Sequence, residues 1–299
     1  MKKFHVGNKP LKQPTFKLSK DMNRLCDTHV HVFDPGRFPY APNRKFTPAT
    51  ANVDQLKSHL SKVGADSVVL VQPSVYGTDH ACLLDALEVL GSTAFGIAVI
   101  DQTTSENDIE HLDRAGVVGA RINMVVNNSS NVDSAIKLIE DIELRTPEHW
   151  HIQLHVSLNV LEALHERILS SSRHFVIDHF GLPDVSQGID AHSWKHLLDL
   201  LKTGKLYVKA SAPYLSSKES AIYRDLEPFV ESLINANPKR VLWGTNWPHT
   251  QGTKRLASTP ITEIEQFRVE DDQSWIALCR DWTRDYANEI AFKNASLLY

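Results

Sequence analysis

The chain has 299 residues, of which 42% are hydrophobic and 23% charged, and its formal net charge is −4. This length is enough for one large α/β barrel domain, and the acidic balance gives no basic field for nucleic acid. The three cysteines form no CxxC pair, which argues against a zinc ribbon or a disulfide framework and favours a reducing compartment. No stretch of about 18 consecutive apolar residues occurs, so we expect no membrane span and a cytoplasmic protein.

The first residues are basic and contain prolines, but they lack the apolar run of a signal peptide. We predict a solvated N-terminal arm over residues 1–22 and a single (β/α)8 barrel domain over residues 23–299. Low-complexity stretches and internal repeats are absent from the sequence. No basic surface or membrane segment suggests a macromolecular partner, so we expect the partner to be a small molecule. The oligomeric state stays open.

Short apolar runs alternate with amphipathic segments along the chain. The runs cover residues 25–33, 67–72, 94–100, 117–124, 150–156, 174–179, 206–210 and 240–243. Their continuous apolar character predicts parallel strands that are buried on both faces. Segments such as 52–63, 79–90, 132–144 and 219–236 predict helices between them, and residues 288–299 predict a closing helix. Eight strand–helix units predict a (β/α)8 TIM barrel, and no Gly-x-Gly-x-x-Gly turn follows the first run to suggest a dinucleotide fold.

Two connections are unusually long, residues 34–51 after the first predicted strand and residues 248–272 after the eighth. Long loops inside a compact domain are often functional. In a barrel, both would lie at the carboxyl ends of the strands, where catalytic groups gather. We therefore expect these loops to shape the substrate pocket.

Polar side chains recur near the ends of the predicted strands. His29 and His31 are two residues apart on the first strand, so both side chains point to the same side, which is the barrel interior. Taken alone, they could be a hydrogen-bonded core pair. The other polar residues near strand ends are Arg121 on the fourth strand, His155 on the fifth, His179 on the sixth, Lys209 and then Tyr214 on and after the seventh, and Asn246 and His249 after the eighth. This regular placement predicts a site.

The second strand leads into a helix through a turn that contains Ser74 and Thr78. Free backbone amides at a helix start favour an anionic group, so both hydroxyls could bind substrate. Thr78 or Asp79 could equally cap the helix. For Arg121 we favour a bidentate contact with a substrate carboxylate over a structural salt bridge.

Four segments together resemble the amidohydrolase superfamily, and within it the branch of 2-pyrone-4,6-dicarboxylate lactonases, to which galactarolactone isomerases are related. They are DTHVHVF at 27–33, VLVQPS at 69–74, VIDHFG at 176–181 and WGTNWPHT at 243–250. The resemblance implies a barrel fold, lactone hydrolysis and a site at the strand ends. Many members of the superfamily bind one or two metals through the His-x-His pair, later histidines and an aspartate on strand eight. The lactonase branch is known to work without metal, using that aspartate to deprotonate water.

This chain departs from the family pattern at strand eight, where Asn246 occupies the position of the aspartate. An amide can neither act as a general base nor give a metal a negative ligand. Leu215 stands where the branch often has arginine, and Asn127 and Asn128 follow Arg121 where a second arginine is expected. Fewer cations suggest a substrate that is less anionic than a pyrone dicarboxylate.

We predict a hydrolase that opens a small carboxylated lactone without a metal. His29, His31 and His179 would stabilise the oxyanion, and His155 or His179 would act as the base. Asn246 would orient water. The predicted substrate-binding residues are Ser74, Thr78, Arg121, Lys209, Tyr214 and His249.

Three alternatives remain open. The chain could be a metal-independent isomerase of sugar-acid lactones, in which Asn246 holds a hydroxyl or carbonyl while a histidine moves the proton. It could be a zinc-dependent hydrolase or decarboxylase of the same superfamily, with one divalent metal on His29, His31 and His179. It could also be a binding or sensing protein that kept the pocket and lost catalysis.

Overall fold

The structure is a computed structural model that describes residues 24–126, 130–219, 222–252, 255–256 and 258–299. The predicted arm, residues 1–22, lies outside the described residues, as do Asn127 and Asn128. Within the described part of the chain, no helix is both long enough and apolar enough to cross a membrane.

Eight parallel strands form the barrel, and two short strands form a second sheet. The strands are β1 (Cys26–Val30), β2 (Thr47–Pro48), β3 (Ser67–Val71), β4 (Ala94–Ala98), β5 (Val117–Asn123), β6 (His151–His155), β7 (Phe175–Ile177), β8 (Leu206–Ala210), β9 (Val241–Trp243) and β10 (Ile264–Glu265). Neighbours in the large sheet follow chain order, β1-β3-β4-β5-β6-β7-β8-β9. This order, with helices between the strands, confirms the predicted (β/α)8 barrel.

The first and last barrel strands meet and bring the barrel nearly to closure. The Thr28 hydroxyl donates to the Trp243 carbonyl over 2.6 Å, and the backbone amide of Asn246 donates to the His29 carbonyl over 2.8 Å. Gly244 permits this approach, because a Cβ there would lie 3.0 Å from the backbone nitrogen of His29. The segment that follows β9 is therefore bonded to the histidine-bearing strand.

The helices surround the barrel. They are α1 (Val53–Val63), α2 (Ala81–Leu90), α3 (Glu106–Arg114), α4 (Val132–Arg145), α5 (Leu158–Ala163), α6 (His165–Ser170), α7 (His192–Lys202), α8 (Pro213–Ser216), α9 (Glu227–Ala236), α10 (Asp272–Thr283) and α11 (Asn294–Leu298). The predicted helix over 219–236 is wrong at its start, since α9 begins at Glu227. Pro228 has no backbone N–H and is tolerated only in a first turn.

The closing segment caps one end of the barrel. A π-helix, Glu289–Lys293, leads into α11, so the predicted helix over 288–299 is split into two types. Phe292, Ala295 and Tyr299 pack against the apolar interior of the barrel, which includes Val69 and Phe95. The closing segment therefore fills this end of the barrel with apolar side chains.

The two long loops are bonded to each other. Strands β2 and β10 pair in parallel, and the Ala49 amide donates to the Glu265 carbonyl over 2.9 Å. The Arg255 guanidinium lies 3.7 Å from the centre of the Phe46 ring and bonds the Glu265 carboxylate. The loop after β1 and the loop after β9 thus form one wall above the barrel.

Candidate active site

A cavity opens at the carboxyl ends of the strands, beneath the joined loops. The predicted site residues that line it are His31, Ser74, Arg121, His155, His179 and Asn246. Phe33, Phe46 and Leu215 add apolar wall, and Arg255 adds a second cation. Groups from six separate chain segments therefore meet in one place, as strand-end placement predicts.

The backbone at two of these positions is unusual. His179 follows β7 with a φ of 51°, and Asn246 follows β9 with a φ of 68°. The left-handed region is costly for most side chains and is better tolerated by asparagine. These turns follow the ends of β7 and β9, and both side chains line the cavity. Strand β7 ends at Ile177, two residues before the predicted boundary at residue 179.

Asp178 is fully buried behind the cavity lining, between His29, which also does not line the cavity, and Arg121. Its Oδ2 accepts a hydrogen bond from Arg121 Nε at 2.9 Å, and its Oδ1 lies 3.3 Å from His29 Nδ1. Burial alone would raise the pKa of Asp178, but the contact with the His29 ring and the charge of the Arg121 guanidinium lower it well below its usual value of 3.8. Burial lowers the pKa of His29 well below 6.5. We therefore assign an anionic aspartate and a neutral histidine at neutral pH.

Arg121 uses only part of its guanidinium in this pair. Nε binds Asp178, and the two terminal nitrogens have no hydrogen-bond partner among the residues the structure describes. The side chain is nearly buried and lines the cavity. Because a guanidinium presents its donors in a fixed fork, Arg121 can bind a carboxylate in the cavity while Asp178 holds it in place.

His31 has a defined tautomer. Its Nδ1 lies 2.7 Å from the Val71 carbonyl oxygen, which can only accept, so Nδ1 carries the proton. Nε2 is then unprotonated, and the ring lines the cavity. Burial, and then the charge of Arg121, lowers the pKa of His31 to about 4. At neutral pH this histidine is a proton acceptor, whereas the sequence analysis predicts that it stabilises the oxyanion.

His155 and His179 stand edge to face, with ring centres 5.3 Å apart. His179 Nδ1 lies 2.8 Å from the Ser211 hydroxyl, which can donate or accept. Both nitrogens of His155 are buried without a hydrogen-bond partner in the described part of the chain. Burial lowers the pKa of His179 to about 3 and that of His155 well below 6.5, so both rings are neutral. Such unsatisfied groups suit a polar ligand.

Asn246 is held from one side. Its Nδ2 donates to the Tyr214 hydroxyl over 2.8 Å, and that hydroxyl donates to the Thr250 carbonyl over 3.1 Å. Its Oδ1 is buried and has no partner within the described ranges. His249 Nε2 bonds the Asp272 carboxylate at 2.9 Å. The structure thus places Tyr214 and His249 behind Asn246, outside the cavity lining.

Lys209 and Thr78 are not brought to the cavity. Lys209 is fully buried inside the barrel, where its ammonium donates to the Thr28 carbonyl and to Gln153 Oε1, each over 2.7 Å. Burial lowers its pKa to about 7. Thr78 lies in the turn before α2, and there Asp79 accepts a bond from the Ala81 amide at 2.9 Å. The N-cap residue of α2 is His80, which makes no side-chain cap bond, so neither Thr78 nor Asp79 occupies the predicted capping position.

The model of the amidohydrolase family matches residues 26–276. The chain belongs to this family. It is 33% identical over 250 residues to 2-pyrone-4,6-dicarboxylate hydrolase of Comamonas testosteroni, covering 79% of this chain and 80% of that protein. It is 29% identical to D-galactarolactone isomerase of Agrobacterium fabrum, covering 87% of this chain and 85% of that protein. The resemblance inferred from the four sequence motifs is confirmed.

One solved structure extends the comparison to the fold of this amidohydrolase. It is described as a probable 2-pyrone-4,6-dicarboxylic acid hydrolase from Acinetobacter baumannii with citric acid bound. It superposes with a TM-score of 0.71 at 25% identity and covers 92% of this chain and 98% of that one.

A partial set of metal ligands lies beside and behind the cavity of this amidohydrolase. One donor atom each from His29, Asp178 and His179 lies within 4.8 Å of the others, so a divalent ion has a geometric option in the described part of the chain. The charges fit an ion poorly, however. The single carboxylate of this set already pairs with the Arg121 guanidinium, and Asn246 supplies no negative charge. His31, which the sequence grouped with His29 and His179, is not in the gathered set.

The sequence interpretation missed two charged residues of the site. Asp178 precedes His179 at the end of an apolar strand, so the signal that singled out His179 applied to it as well. Arg255 lies within the loop over 248–272, where neither periodicity nor strand position indicates where a side chain points. The loop contact with Glu265 brings it to the cavity wall.

Proposed function

We propose that this amidohydrolase hydrolyses the ring ester of a small carboxylated lactone, using its own side chains and not a metal. The observation that carries the proposal is the tautomer of His31. The Val71 carbonyl fixes the proton on Nδ1, so Nε2 is unprotonated, and the ring lines the same cavity as Arg121. A proton acceptor next to a carboxylate-binding guanidinium is the pair that this reaction needs.

Arg121 anchors the substrate carboxylate through its two terminal nitrogens. The Asp178 carboxylate holds the guanidinium through Nε, and His29 contacts the other oxygen of that Asp178 carboxylate. His29 and Asp178 therefore act as positioning residues. Lys209 is bonded to Thr28 and Gln153 inside the barrel and does not itself bind substrate. The citric acid bound to the solved relative supports a cavity built for carboxylates.

His31 Nε2 takes a proton from a water molecule that Asn246 Oδ1 orients. The water oxygen bonds to the lactone carbonyl carbon, and His155 or His179 donates a hydrogen bond to the developing oxyanion. The bond between the carbonyl carbon and the ring oxygen then breaks, and the ring oxygen receives the proton from His31. The product is an open-chain acid with a hydroxyl where the ring closed.

Isomerisation is the second candidate, and Asn246 favours it specifically. An amide can hold a substrate hydroxyl, and the D-galactarolactone isomerase relative covers most of this chain. His31 Nε2 would then accept the proton of a substrate hydroxyl, which attacks the carbonyl in place of water. The original bond between the carbonyl carbon and the ring oxygen would break, and the released oxygen would take the proton back from His31, so the product would be another lactone ring.

Proton NMR on a panel of pyrone carboxylates and sugar-acid lactones separates the two candidates. We expect at least one carboxylated lactone to yield the open-chain acid, with one oxygen-18 per turnover from labelled water in its carboxylate. A new lactone without label would favour isomerisation. Binding measured by thermal stabilisation, without turnover of any lactone, would contradict both candidates and indicate a binding protein.

A further inference from the structure

A second cluster of imidazoles lies away from the cavity, where α5, α6 and α7 meet on the outer helix layer. His192 and His196 both belong to α7, and His165 begins α6. The ring centres of His165 and His196 are 4.6 Å apart, and those of His192 and His196 are 6.5 Å apart. Glu162 of α5 places its Oε1 3.0 Å from His192 Nε2. None of these four residues lines the active-site cavity.

The spacing of the α7 pair sets the geometry. Residues four apart on a helix lie on the same face, about 5–6 Å apart at Cβ, so His192 and His196 can both reach a ligand beside that face. His165 approaches the same point from α6. Its ring packs against His196 at an interplanar angle of 63°. Three imidazoles and one carboxylate are thus neighbours at the junction of three helices, although their donor atoms do not all lie within 4.8 Å of one another as they stand.

The hydrogen bonding of the cluster is incomplete. His165 Nδ1 and His196 Nε2 are both buried, and neither has a partner among the residues described. Leaving two such nitrogens unsatisfied is costly unless a ligand or water completes them. Burial, and then the neighbouring His165, lowers the pKa of His196, so its ring is neutral and able to bind a metal at neutral pH.

We propose that His165, His192, His196 and Glu162 form a zinc site on the outer helix layer. Three imidazole nitrogens and one carboxylate oxygen are ligands that Zn²⁺ accepts in tetrahedral geometry, at about 2.0–2.2 Å. Binding would require these side chains to rotate toward a common point. The His192 side chain is 83% exposed, so it can turn from Glu162 toward His196, and Glu162 can follow.

A metal here would stabilise the fold without taking part in lactone chemistry. It would link α5 and α6 to α7, the helices that follow β6 and β7. Those strands lead directly into His155 and Asp178. Zinc would therefore raise the melting temperature by binding the folded state only.

Equilibrium zinc binding to chelator-stripped protein tests the site. We expect His196→Ala and His192→Ala each to weaken this binding by at least tenfold and to abolish the rise in melting temperature that zinc causes in the wild type. His111→Ala, which removes an exposed histidine of α3, is the matched control and should bind zinc as the wild type does.

His29→Asn separates this site from the cavity. Zinc binding that persists in His29→Asn and is lost in His29→Asn/His196→Ala supports the outer site. Equal zinc affinity in the wild type, His192→Ala and His196→Ala would overturn the proposal. That result would leave the lactone proposal untouched, because none of the four residues takes part in it.

Discussion

Replacing Arg121 with glutamine is expected to lower kcat/KM for a carboxylated lactone by roughly a hundredfold or more. Truncating one partner of a buried, hydrogen-bonded charge pair costs about 2–5 kcal/mol, and about 1.4 kcal/mol corresponds to a factor of ten. Here the loss includes both the substrate contact and the support that Asp178 gives to it. Steady-state kinetics with the acid and with its methyl ester measure the effect. The loss should be at least tenfold larger for the acid, because only the acid carries the charge that Arg121 binds.

Stability has to be separated from binding in this experiment. Arg121→Gln leaves the buried Asp178 unpaired, which is strongly destabilising, and Arg121→Gln/Asp178→Asn removes both charges and should recover much of the stability without recovering activity. Arg145→Gln is the matched control, since Arg145 pairs with Asp141 away from the cavity. It should leave kcat/KM within about twofold. Equal losses for the acid and the ester would contradict a carboxylate contact.

Replacing His31 with asparagine is expected to lower kcat by about 10²–10⁴-fold while KM changes little. Asparagine can still donate a hydrogen bond to Val71, but it cannot take a proton from water. His80→Gln is the matched control, because His80 contacts the Val99 carbonyl at 2.8 Å through Nε2, whose place a glutamine amide can take, and His80 lies outside the cavity lining. A His31→Asn variant with wild-type kcat would show that another group takes the proton.

The pH profile of the wild type tests the same role for His31. With a pKa of about 4 in the folded protein, His31 is unprotonated from neutral pH down to about pH 5. We therefore expect kcat/KM to be nearly constant between pH 7 and pH 5. An acid limb centred near 6.5, the value of an ordinary histidine, would contradict the assignment.

Acid stability limits how far this profile can be followed. Burial lowers the pKa of His29, His31, His151, His155 and His179. The unfolded chain therefore binds more protons than the folded one between pH 6.5 and the folded-state values. Stability is full above pH 6.5 and decreases as pH falls below it. Circular dichroism at each pH shows whether any loss of rate at lower pH precedes unfolding.

The barrel could be predicted from the sequence because its signals are local. Apolar runs of five to seven residues such as those of β3 and β5 are long enough to mark strands buried on both faces. His155 and Arg121 could be predicted as site residues for a related reason, since polar groups near the carboxyl end of a barrel strand meet at one face. The family assignment follows from the same strand-end motifs.

What could not be predicted depends on contacts between distant segments. The pairing of Asp178 with Arg121 joins residues 57 apart in sequence. This pairing occupies Nε and leaves the two terminal nitrogens of the guanidinium for the substrate. Lys209 lies on a strand like Arg121, but nothing in the sequence reveals that its side chain ends at Gln153 inside the barrel. Arg255 reaches the cavity only because β2 and β10 pair.

Asn246 has a different significance once the cavity is seen. In the sequence it suggests a missing base, because the lactonase branch places an aspartate there. In the structure, the bond from His31 to Val71 leaves an unprotonated imidazole nitrogen on a ring that lines the same cavity. The side-chain oxygen of Asn246 has no partner among the described residues, which suits the holding of water or a hydroxyl. The chain can therefore lose the carboxylate and retain the chemistry that we propose.

The rate of lactone opening by metal-free protein tests the central claim most directly. The protein would be stripped with a strong chelator, its metal content measured in the assay sample, and kcat/KM compared with that of the untreated and zinc-supplemented protein. We predict the same kcat/KM within about twofold in all three samples, because the reacting groups are the side chains of His31, Arg121 and Asn246. Activity that falls in proportion to the metal removed, and returns with added zinc, would contradict the account.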